Sequence, residues 1–372
     1  MTSRAVELAA ELIRYDTINP PGNEGACTEH LQRQLEAAGF ACELVPLEPG
    51  RPNLVARIGG SPDKKPLAFT GHTDTVPLGR QPWTVPPHGG LIKDGKLWGR
   101  GASDMKSGTA AIVAAAIAMA PKLAGTPGVV LYITAGEEVG VAGAALLAKR
   151  GLKGAAGALV VAEPTSNRPL CGHKGAFWAK AVTKGVTAHG SMPEQGVNAV
   201  YKAAAAVSKL EHFGFNIARH PVMGAPSLNV GFVHGGLNVN SVPDRAEIGI
   251  DIRTLPGQDH GRLKEELQST LGSDVELIVT VEAPSVWTDP ADPFMRDVFA
   301  VCAEMGQAPK VEAAPYFTDA SALTPGLGHV PTVILGPGPA HLAHQTDEWC
   351  EVAKIDEAVE IYQRLIARWC GL

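Results

Sequence analysis

The residues best suited to chemistry are histidines and carboxylic acids that follow apolar segments of the chain. They are His72, Asp104, the adjacent pair Glu137 and Glu138, and Glu163, with about 25 to 33 residues between successive positions. One strand and one helix fit into each interval, and the carboxyl ends of parallel strands meet at one edge of a sheet. Imidazole and carboxylate ligands without thiolates suit zinc, cobalt or manganese. The pattern therefore predicts a metal site at that edge.

His72 and Asp74 are separated by one residue at the end of a predicted strand. Residues i and i+2 of a strand point to the same side, so Asp74 can accept the second ring N–H of His72 and fix its tautomer. Histidines that bind metals need such a partner. The same spacing also fits an ordinary core histidine, so it predicts a ligand only together with the other acids.

The segment GRGASD, residues 99–104, superficially resembles a glycine-rich phosphate loop. It lacks the phosphate-loop pattern, and Asp104 stands where the third glycine of a dinucleotide-binding loop would be. An acid at that position would repel phosphate, whereas the glycines allow the backbone to approach closely. We interpret Asp104 as a carboxylate offered to a metal ion.

Glu137 and Glu138 follow one apolar segment, and Glu163 follows another. Carboxylates next to a core are costly unless a cation compensates them. The alternative for the pair is a solvated helix N-terminus, where acids are favourable. Near the end of the chain, His341 and His344 follow a Gly-Pro-Gly segment, and either histidine alone would also fit a surface loop.

Alternation of apolar strands with helices predicts an α/β fold for most of the chain. Strands are expected at 53–58, 66–70, 128–134, 158–161 and 331–335, and helices at 4–15, 105–120, 293–305 and 354–369, with two more that end near 38 and 148. Short and continuously apolar strands are typical of a sheet covered by helices on both faces.

A different pattern occupies the middle of the chain. The expected order is strand 176–184, helix 197–210, strands 227–233 and 246–253, helix 260–271 and strand 275–281. This βαββαβ order is ferredoxin-like, and alternation in strand 246–253 indicates one buried and one open face. We therefore predict a catalytic domain at 1–172 and 283–372, interrupted by a lid domain at 173–282.

Composition excludes several classes of protein. The 372 residues carry a net charge of −6, which gives no basic field to attract nucleic acid or an anionic membrane. No apolar run approaches the roughly 20 residues that a membrane-spanning helix needs, and Glu7 and Glu11 interrupt any signal-peptide core. The six cysteines include no C-x-x-C pair, so reduced thiols and a cytoplasmic location are expected.

Taken together, the motifs resemble those of a known family. The matching segments are 71–77 (GHTDTVP), 99–106 (GRGASDMK), 136–138 (GEE), 163–164 (EP), 188–191 (AHGS) and 343–345 (AHQ). The resemblance is to the dinuclear zinc metallohydrolases that include acetylornithine deacetylase, succinyl-diaminopimelate desuccinylase, aminoacylase and glutamate carboxypeptidase, and it covers essentially the whole chain. It implies a mixed sheet flanked by helices, as in zinc aminopeptidases, with an inserted α+β ferredoxin-like lid and dimerisation domain.

The resemblance also implies roles for individual residues. Asp104 would bridge two divalent ions, zinc in the first place with cobalt or manganese as alternatives. His72 and Glu163 would complete one metal site, and Glu138 and His344 the other. In addition, Glu137 would be the general base, Asp74 would orient His72, and the peptide bond after Asp104 would be cis.

Four further residues are expected to meet the substrate. In the family, a histidine matching His189 comes from the partner subunit of a homodimer and stabilises the tetrahedral oxyanion. Arg253 and Asn240 resemble positions that hold the substrate carboxylate, for which an arginine fork is suited. Thr318 is expected to line the pocket, although the segment Ala-Ala-Pro before it replaces a glycine pair of many relatives.

The function that these roles imply is hydrolysis of an amide bond in a small N-acyl amino acid, with an acetylornithine deacetylase as the first choice. A succinyl-diaminopimelate desuccinylase and a di- or carboxypeptidase of the same family remain alternatives. From other classes, a non-catalytic metal-dependent binding protein would not need Glu137. A two-metal phosphoesterase is disfavoured because a single arginine, rather than a basic cluster, is the expected substrate anchor.

Overall fold

The computed structural model describes residues 2–372. Contacts between residues divide the chain into two compact units. The main unit consists of the chain up to His173 together with Val286–Ala314 and Thr318–Leu372, and the inserted unit consists of Lys174–Ser285 and Pro315–Phe317. The main unit is thus built from segments on both sides of the insertion.

The elements alternate between helices and strands over most of the chain. The helices are α1 (Arg4–Ile13), α2 (Gly25–Ala37), α3 (Lys106–Met119), α4 (Ala142–Lys149), α5 (Ala199–Glu211), α6 (His260–Leu271), α7 (Pro293–Glu304), α8 (Ala320–Leu327) and α9 (Val352–Cys370). The strands are β1 (Ala41–Glu48), β2 (Arg51–Ile58), β3 (Leu67–His72), β4 (Leu91–Lys93), β5 (Lys96–Trp98), β6 (Val129–Thr134), β7 (Ala158–Val161), β8 (Gly172–His173), β9 (Gly175–Lys184), β10 (Ser227–Gly235), β11 (Arg245–Thr254), β12 (Val275–Ala283), β13 (Val286–Trp287), β14 (Thr332–Ile334) and β15 (Trp349–Glu351).

A six-stranded mixed sheet forms the centre of the main unit. Its order is β1-β2-β6-β3-β7-β14. Strands β6, β3, β7 and β14 run parallel to one another, and β2 is antiparallel to both of its neighbours, β1 and β6. Every residue of β3, β6 and β7 is buried, as expected for strands with packing on both faces. The predicted mixed sheet is confirmed. Because β3 lies between β6 and β7, the carboxyl ends of these three strands are adjacent.

Helix α3 is buried on nearly every side and packs against α1, α9 and β3. Its alanines and Gly108 allow this close packing, since a Cβ on Gly108 would stand 2.0 Å from the carbonyl oxygen of Ala162. Glycine is therefore required where the first turn of α3 meets the segment after β7. This contact brings the loop that ends at Asp104 close to Glu163.

The inserted unit is a four-stranded antiparallel sheet with the order β10-β11-β9-β12. Helices α5 and α6 pack against it and bury an apolar cluster that includes Phe177, Ile248 and Leu267. The chain order of these elements is βαββαβ. The predicted ferredoxin-like α+β arrangement is confirmed.

Some elements have no clear signal in the sequence. Strand β1 is an edge strand that contains Pro46 and has mostly exposed or half-buried residues, so it lacks an apolar pattern. Helix α8 contains Pro325 and Gly326, which normally interrupt helices. Strands β4, β5 and β15 have three residues each and form a small separate sheet. Within residues 2–372, no helix has the length and apolar character that a membrane span requires.

Candidate metal centre

The carboxyl ends of β3, β6 and β7 carry four of the predicted site residues. His72 is the last residue of β3, Glu137 and Glu138 follow β6, and Glu163 follows β7. Asp104 reaches the same edge from the loop before α3. His72, Glu137 and Glu163 are buried, and Asp104 and Glu138 are nearly so. The fold thus collects the acids and the histidine at one place, as their spacing predicts.

One group of possible ligands consists of His72, Asp104 and Glu163. The Nε2 atom of His72 lies 3.2 Å from Oδ1 of Asp104 and 3.7 Å from Oε1 of Glu163. Ligand atoms bonded to one tetrahedral zinc ion, at about 2.0–2.2 Å each, stand roughly 3.2–3.6 Å apart. The three side chains therefore have the spacing that a small divalent ion requires.

A second group consists of Asp104, Glu138 and His344. The Nε2 atom of His344 lies 3.4 Å from Oδ2 of Asp104 and 3.2 Å from Oε2 of Glu138. The other oxygen of Glu138, Oε1, is buried without a hydrogen-bond partner. An acceptor in that position is suited to a cation, because a buried lone pair without a partner is otherwise costly.

Asp104 belongs to both groups, and its two oxygens face different histidines. Oδ1 is the atom near His72, and Oδ2 is the atom near His344. One carboxylate can therefore contribute an oxygen to each of two ions. The peptide bond between Asp104 and Met105 is cis, as the family resemblance implies.

The acids of the cluster repel one another. Burial raises the pKa of Glu137 and of Glu163 well above the usual value, and neighbouring carboxylates add to both rises. Burial also raises the pKa of Glu138. Burial acts in the same direction on Asp104, but hydrogen bonds from the two histidines outweigh it and lower this pKa. A bound cation would relieve the repulsion between these groups.

The histidines respond to the same charges. Burial acts to lower the pKa of His72, but the carboxylates of Asp104 and Glu163 raise it well above the usual value. Hydrogen bonds to Asp104 and Glu138 raise the pKa of His344 to about 10. In the metal-free protein, protons thus neutralise the side chains of the two ligand groups, and metal binding would displace these protons.

Asp74 contacts this cluster in a different way from the one predicted. The ring Nδ1 of His72 lies 2.9 Å from the backbone oxygen of Asp74, and 3.6 Å from the carboxylate Oδ1. A bond to that carbonyl requires a proton on Nδ1, which leaves the Nε2 lone pair facing Asp104 and Glu163. The tautomer suits a metal ligand, but the backbone rather than the carboxylate selects it.

The carboxylate of Asp74 instead holds the glutamate pair. It accepts hydrogen bonds from the backbone N–H of Glu137 (3.1 Å) and of Glu138 (3.2 Å), and from Nδ2 of Asn19 (2.8 Å). Sequence reasoning missed Asn19, which lies far from the cluster in the chain. Its position before Pro20 and Pro21, in the break after the first predicted helix, does not by itself indicate such a role.

Asp319 is a second missed residue, and it lies next to Thr318. It is buried and accepts a hydrogen bond from Oγ1 of Thr134 at the end of β6. Burial raises its pKa to about 6, and its charge contributes to the raised pKa of Glu137. Thr318 is also buried, and its Oγ1 accepts a hydrogen bond from the N–H of Ala320 at the start of α8.

The remaining predicted residues lie in the inserted unit. His189 is exposed, and its Nδ1 accepts a hydrogen bond from the N–H of Ser191 (3.2 Å). Asn240 is also exposed, and its backbone oxygen accepts a hydrogen bond from Gly190 (2.7 Å), so the segments of His189 and Asn240 are neighbours. An acceptor role for Nδ1 places the proton of a neutral His189 ring on Nε2, where it is available as a donor.

Arg253 stands on β11 and is partly exposed. Its Nη2 donates to Oδ2 of Asp251 (3.0 Å), and its Nε lies 3.0 Å from Oδ1 of the same residue. The guanidinium carbon lies about 6 Å from the rings of Trp178 (6.0 Å) and Phe317 (5.9 Å). Arg253 is therefore held by a carboxylate and two aromatic rings of its own unit.

Comparisons with known proteins agree with the geometry. A family model described as peptidase family M20/M25/M40 matches residues 68–368. A protein named probable succinyl-diaminopimelate desuccinylase from Staphylococcus epidermidis is 32% identical, with 96% of each chain covered. An acetylornithine deacetylase from Myxococcus xanthus is also 32% identical, with 97% of this chain and 96% of that protein covered.

A solved structure extends the agreement to the fold. An M20 family metallo-carboxypeptidase from Sulfolobus solfataricus superposes with a TM-score of 0.82 over 100% of both chains, at 18% identity. The family model matches residues 68–368, and two groups of possible metal ligands share Asp104. The chain belongs to peptidase family M20/M25/M40, and it is a metal-dependent hydrolase of amide bonds.

Proposed function

We propose that this protein removes the acyl group from a small N-acylated amino acid with the help of two divalent ions, zinc in the first place and cobalt or manganese as alternatives. The observation that carries the proposal is the sharing of Asp104 between two ligand groups. His72, Asp104 and Glu163 would hold one ion, and Asp104, Glu138 and His344 the other. When bound, such a pair supplies Lewis acidity towards water and towards the amide carbonyl.

Glu137 is the proposed general base. It is buried beside the cluster but belongs to neither ligand group, so its carboxylate remains free for proton transfer. The raised pKa of Glu137 brings its proton affinity closer to that needed near neutral pH. In the proposed reaction it takes a proton from the attacking water and delivers a proton to the leaving amine.

Asp74 and Asn19 support Glu137 through the backbone. The Asp74 carboxylate fixes the amides of the glutamate pair, and Asn19 donates to the same carboxylate. The base and the adjacent ligand Glu138 are therefore held by a single buried group. Such fixed orientation favours catalysis, because little reorganisation is needed during the reaction.

The inserted unit is proposed to supply the substrate contacts. His189, with its proton on Nε2, would donate to the tetrahedral oxyanion. Arg253 and Asn240 would bind the substrate carboxylate, and Thr318 of the main unit would line the pocket. Arg253 would then exchange part of its contact with Asp251 for the substrate.

We further propose a homodimer that forms through the inserted unit. Strand β10 is an edge strand of its sheet, and an unpaired edge can add a strand from another chain. Phe232 and Val233 on this strand are exposed, and so are Leu237, Val239 and Tyr201 nearby in the same unit. An exposed apolar surface beside an open edge is typical of an interaction site.

Cytoplasmic location is part of the same proposal. All six cysteines are free thiols, and Cys27, Cys171, Cys302 and Cys350 are buried. Free thiols are the usual state of cysteine in a reducing compartment.

Two relatives favour different acyl groups, since one is named an acetylornithine deacetylase and the other a probable succinyl-diaminopimelate desuccinylase. We place N-acetylornithine first and N-succinyl-diaminopimelate second, with a dipeptide as the third class. The test is a panel of these three substrates with protein that has been stripped of metal and reloaded with zinc, cobalt or manganese. Turnover of one class with two ions per chain is expected.

Other outcomes of the panel would contradict the proposal. Two bound ions without turnover of any amide would indicate a binding protein. Hydrolysis of a generic phosphodiester in place of the amides would indicate a phosphoesterase. Failure to bind two ions would remove the basis of the proposed function.

A further inference from the structure

Glu348 is a buried carboxylate that accepts hydrogen bonds from four N–H groups. Its Oε1 accepts from the backbone amides of Ser103 (2.7 Å) and Asp104 (2.9 Å). Its Oε2 accepts from the amide of Gly101 (3.0 Å) and from Nη1 of Arg100 (2.7 Å). The side chain is fully buried. This set of four donors is therefore complete without solvent.

These four donors explain why the glycine-rich segment 99–104 looks like an anion-binding loop. Its sequence resembles a phosphate loop, and its successive amides do form a concave site for an anion. Gly101 has a positive φ of 83°, which turns the backbone so that the amides point to one side. The anion in this site is the carboxylate of Glu348 from the same chain, so the loop does not need an external phosphate.

Arg100 connects this loop to the segment that carries His344. Its Nη1 donates to the backbone oxygen of Gln345 (3.1 Å) as well as to Glu348, and its Nη2 donates to the backbone oxygen of Pro77 (3.1 Å). The Arg100 side chain is also fully buried. One ion pair thus ties the backbone beside Asp104 to the backbone beside His344.

We infer that Glu348, paired with Arg100, is a positioning residue that sets the distance between Asp104 and His344 for two metal ions. The inference rests on the proposed function, because it assumes that these residues are ligands. Asp104 offers one oxygen to each ligand group, so a shift of its backbone would displace both oxygens together. A change at Glu348 is therefore expected to weaken both metal sites.

The decisive variant is Glu348→Gln. Glutamine has nearly the same shape, but its amide group turns an NH₂ towards two of the four N–H donors. Removal of a group that orients metal ligands typically lowers metal affinity about 10–100-fold. We expect a loss of this size for both ions, while the metal-free protein keeps its circular dichroism spectrum.

Two control variants separate this effect from general damage. Asp347→Asn alters the neighbouring carboxylate, which accepts from the N–H (2.8 Å) and Oγ1 (2.9 Å) of Thr84 and has no bond to the Asp104 loop. It should therefore leave the affinity for the ion held by His72, Asp104 and Glu163 unchanged. Glu357→Gln alters a carboxylate that accepts from Asn167, Gln307 and Lys354, and it should leave both affinities unchanged.

The measurement is calorimetric titration of the metal-free proteins with Co²⁺, together with the visible absorption of each bound Co²⁺. If the wild-type protein binds fewer than two ions, the proposed function is wrong. If the wild-type protein binds two ions and Glu348→Gln binds both with the same affinity and spectrum, the positioning role is wrong.

If Glu348→Gln does not fold, a further variant tests the positioning role of the Glu348–Arg100 pair. Arg100→Lys keeps the positive charge beside Glu348 but cannot make the three bonds of the guanidinium at once. We expect a lower affinity for the ion at His344, with a smaller effect on the ion at His72. Wild-type affinity for both ions in this variant would also overturn the positioning role.

Discussion

The predicted residues of the main unit and those of the inserted unit have very different surroundings. Nε2 of His72 lies 3.2 Å from Asp104 and 3.7 Å from Glu163. His72 and Glu163 are buried, and Asp104 is nearly so. Arg253 and His189 of the inserted unit are at least partly exposed, and each is satisfied by a neighbour close in sequence. The first set needs protons or a cation to neutralise its buried charge, whereas the second set is neutralised by its own neighbours.

The difference shows that burial, together with residue type, decides whether a role can be inferred from the chain alone. A buried cluster of acids is unstable unless protons or cations neutralise it, so its chemistry can be inferred from one chain. An exposed histidine or arginine costs little, so its role depends on what approaches it. The metal centre is therefore specified by burial and charge within the chain, whereas the roles of Arg253 and His189 depend on the substrate.

The largest effect is expected for Glu137→Gln, which tests the main unit. Loss of a general base typically lowers kcat by about 10²–10⁴-fold, and the variant should still bind two ions, because Glu137 belongs to neither ligand group. Steady-state kinetics and metal analysis on the same sample measure both quantities. Near-normal kcat, or loss of an ion, would contradict the assigned role.

His189→Gln tests whether the inserted unit takes part in the chemistry. Loss of one oxyanion donor typically lowers kcat by about 10²–10³-fold, with metal content unchanged. Ser191→Ala is the matched control, since it removes the hydroxyl 2.7 Å from Nδ1 but keeps the ring and the backbone donor. If His189 is only an exposed loop residue, both variants will retain the wild-type kcat, and the inserted unit will have no catalytic histidine at this position.

Arg253→Lys is expected to have a smaller effect, mainly on KM. A lysine keeps the charge but not the fork that binds a carboxylate through two bonds, so KM should rise about 10-fold with little change in kcat. Arg245→Lys on the same strand is the control, because Arg245 is exposed and pairs with Glu247. Equal KM values for the two variants would mean that Arg253 serves its pair with Asp251 and not the substrate.

Some of this organisation could be predicted from the sequence, and the reasons differ by residue. His72 ends the buried strand β3, and Glu138 and Glu163 follow the buried strands β6 and β7, so the strand pattern and the cost of buried charge both indicate these residues. His344 lies in a loop with a positive φ of 65°, where no periodicity applies, and only the family resemblance assigns it. The same contrast holds for the fold, since buried strand β6 was predictable and edge strand β1 was not.

Residues that act through the backbone were beyond reach of sequence reasoning. Asn19 and Glu348 influence the site by bonding to Asp74 and to the amides of the Asp104 loop. Backbone amides look alike in every sequence, so nothing in the residue types shows which carboxylate they will bind. Asp74 is an example. Its backbone oxygen, and not the predicted carboxylate, bonds to His72, while its carboxylate accepts hydrogen bonds from the amides of Glu137 and Glu138.

The smallest expected effect is on the pH dependence of the free energy of unfolding. It should depend on the buried cluster and not on Arg253 of the inserted unit. In the metal-free protein, the pKa values of Glu137, Glu138 and Glu163 are raised from 4.5, and that of His344 is raised from 6.5 to about 10. The folded state therefore binds more protons than the unfolded state over this window. The contribution of this cluster to the free energy of unfolding is therefore expected to fall as pH rises from about 4.5 to about 10.

Divalent ions replace these protons, so added Zn²⁺ should raise Tm more at about pH 8 than at about pH 5.5. Glu163→Gln removes one buried acid, and its metal-free Tm should fall less steeply with pH than that of the wild-type protein. Arg253→Lys in the inserted unit should keep the wild-type slope. Thermal unfolding of the three proteins at several pH values measures these slopes. Parallel curves for all three would show that the acids are neutralised by local partners, and the distinction between the two units would then lose its electrostatic basis.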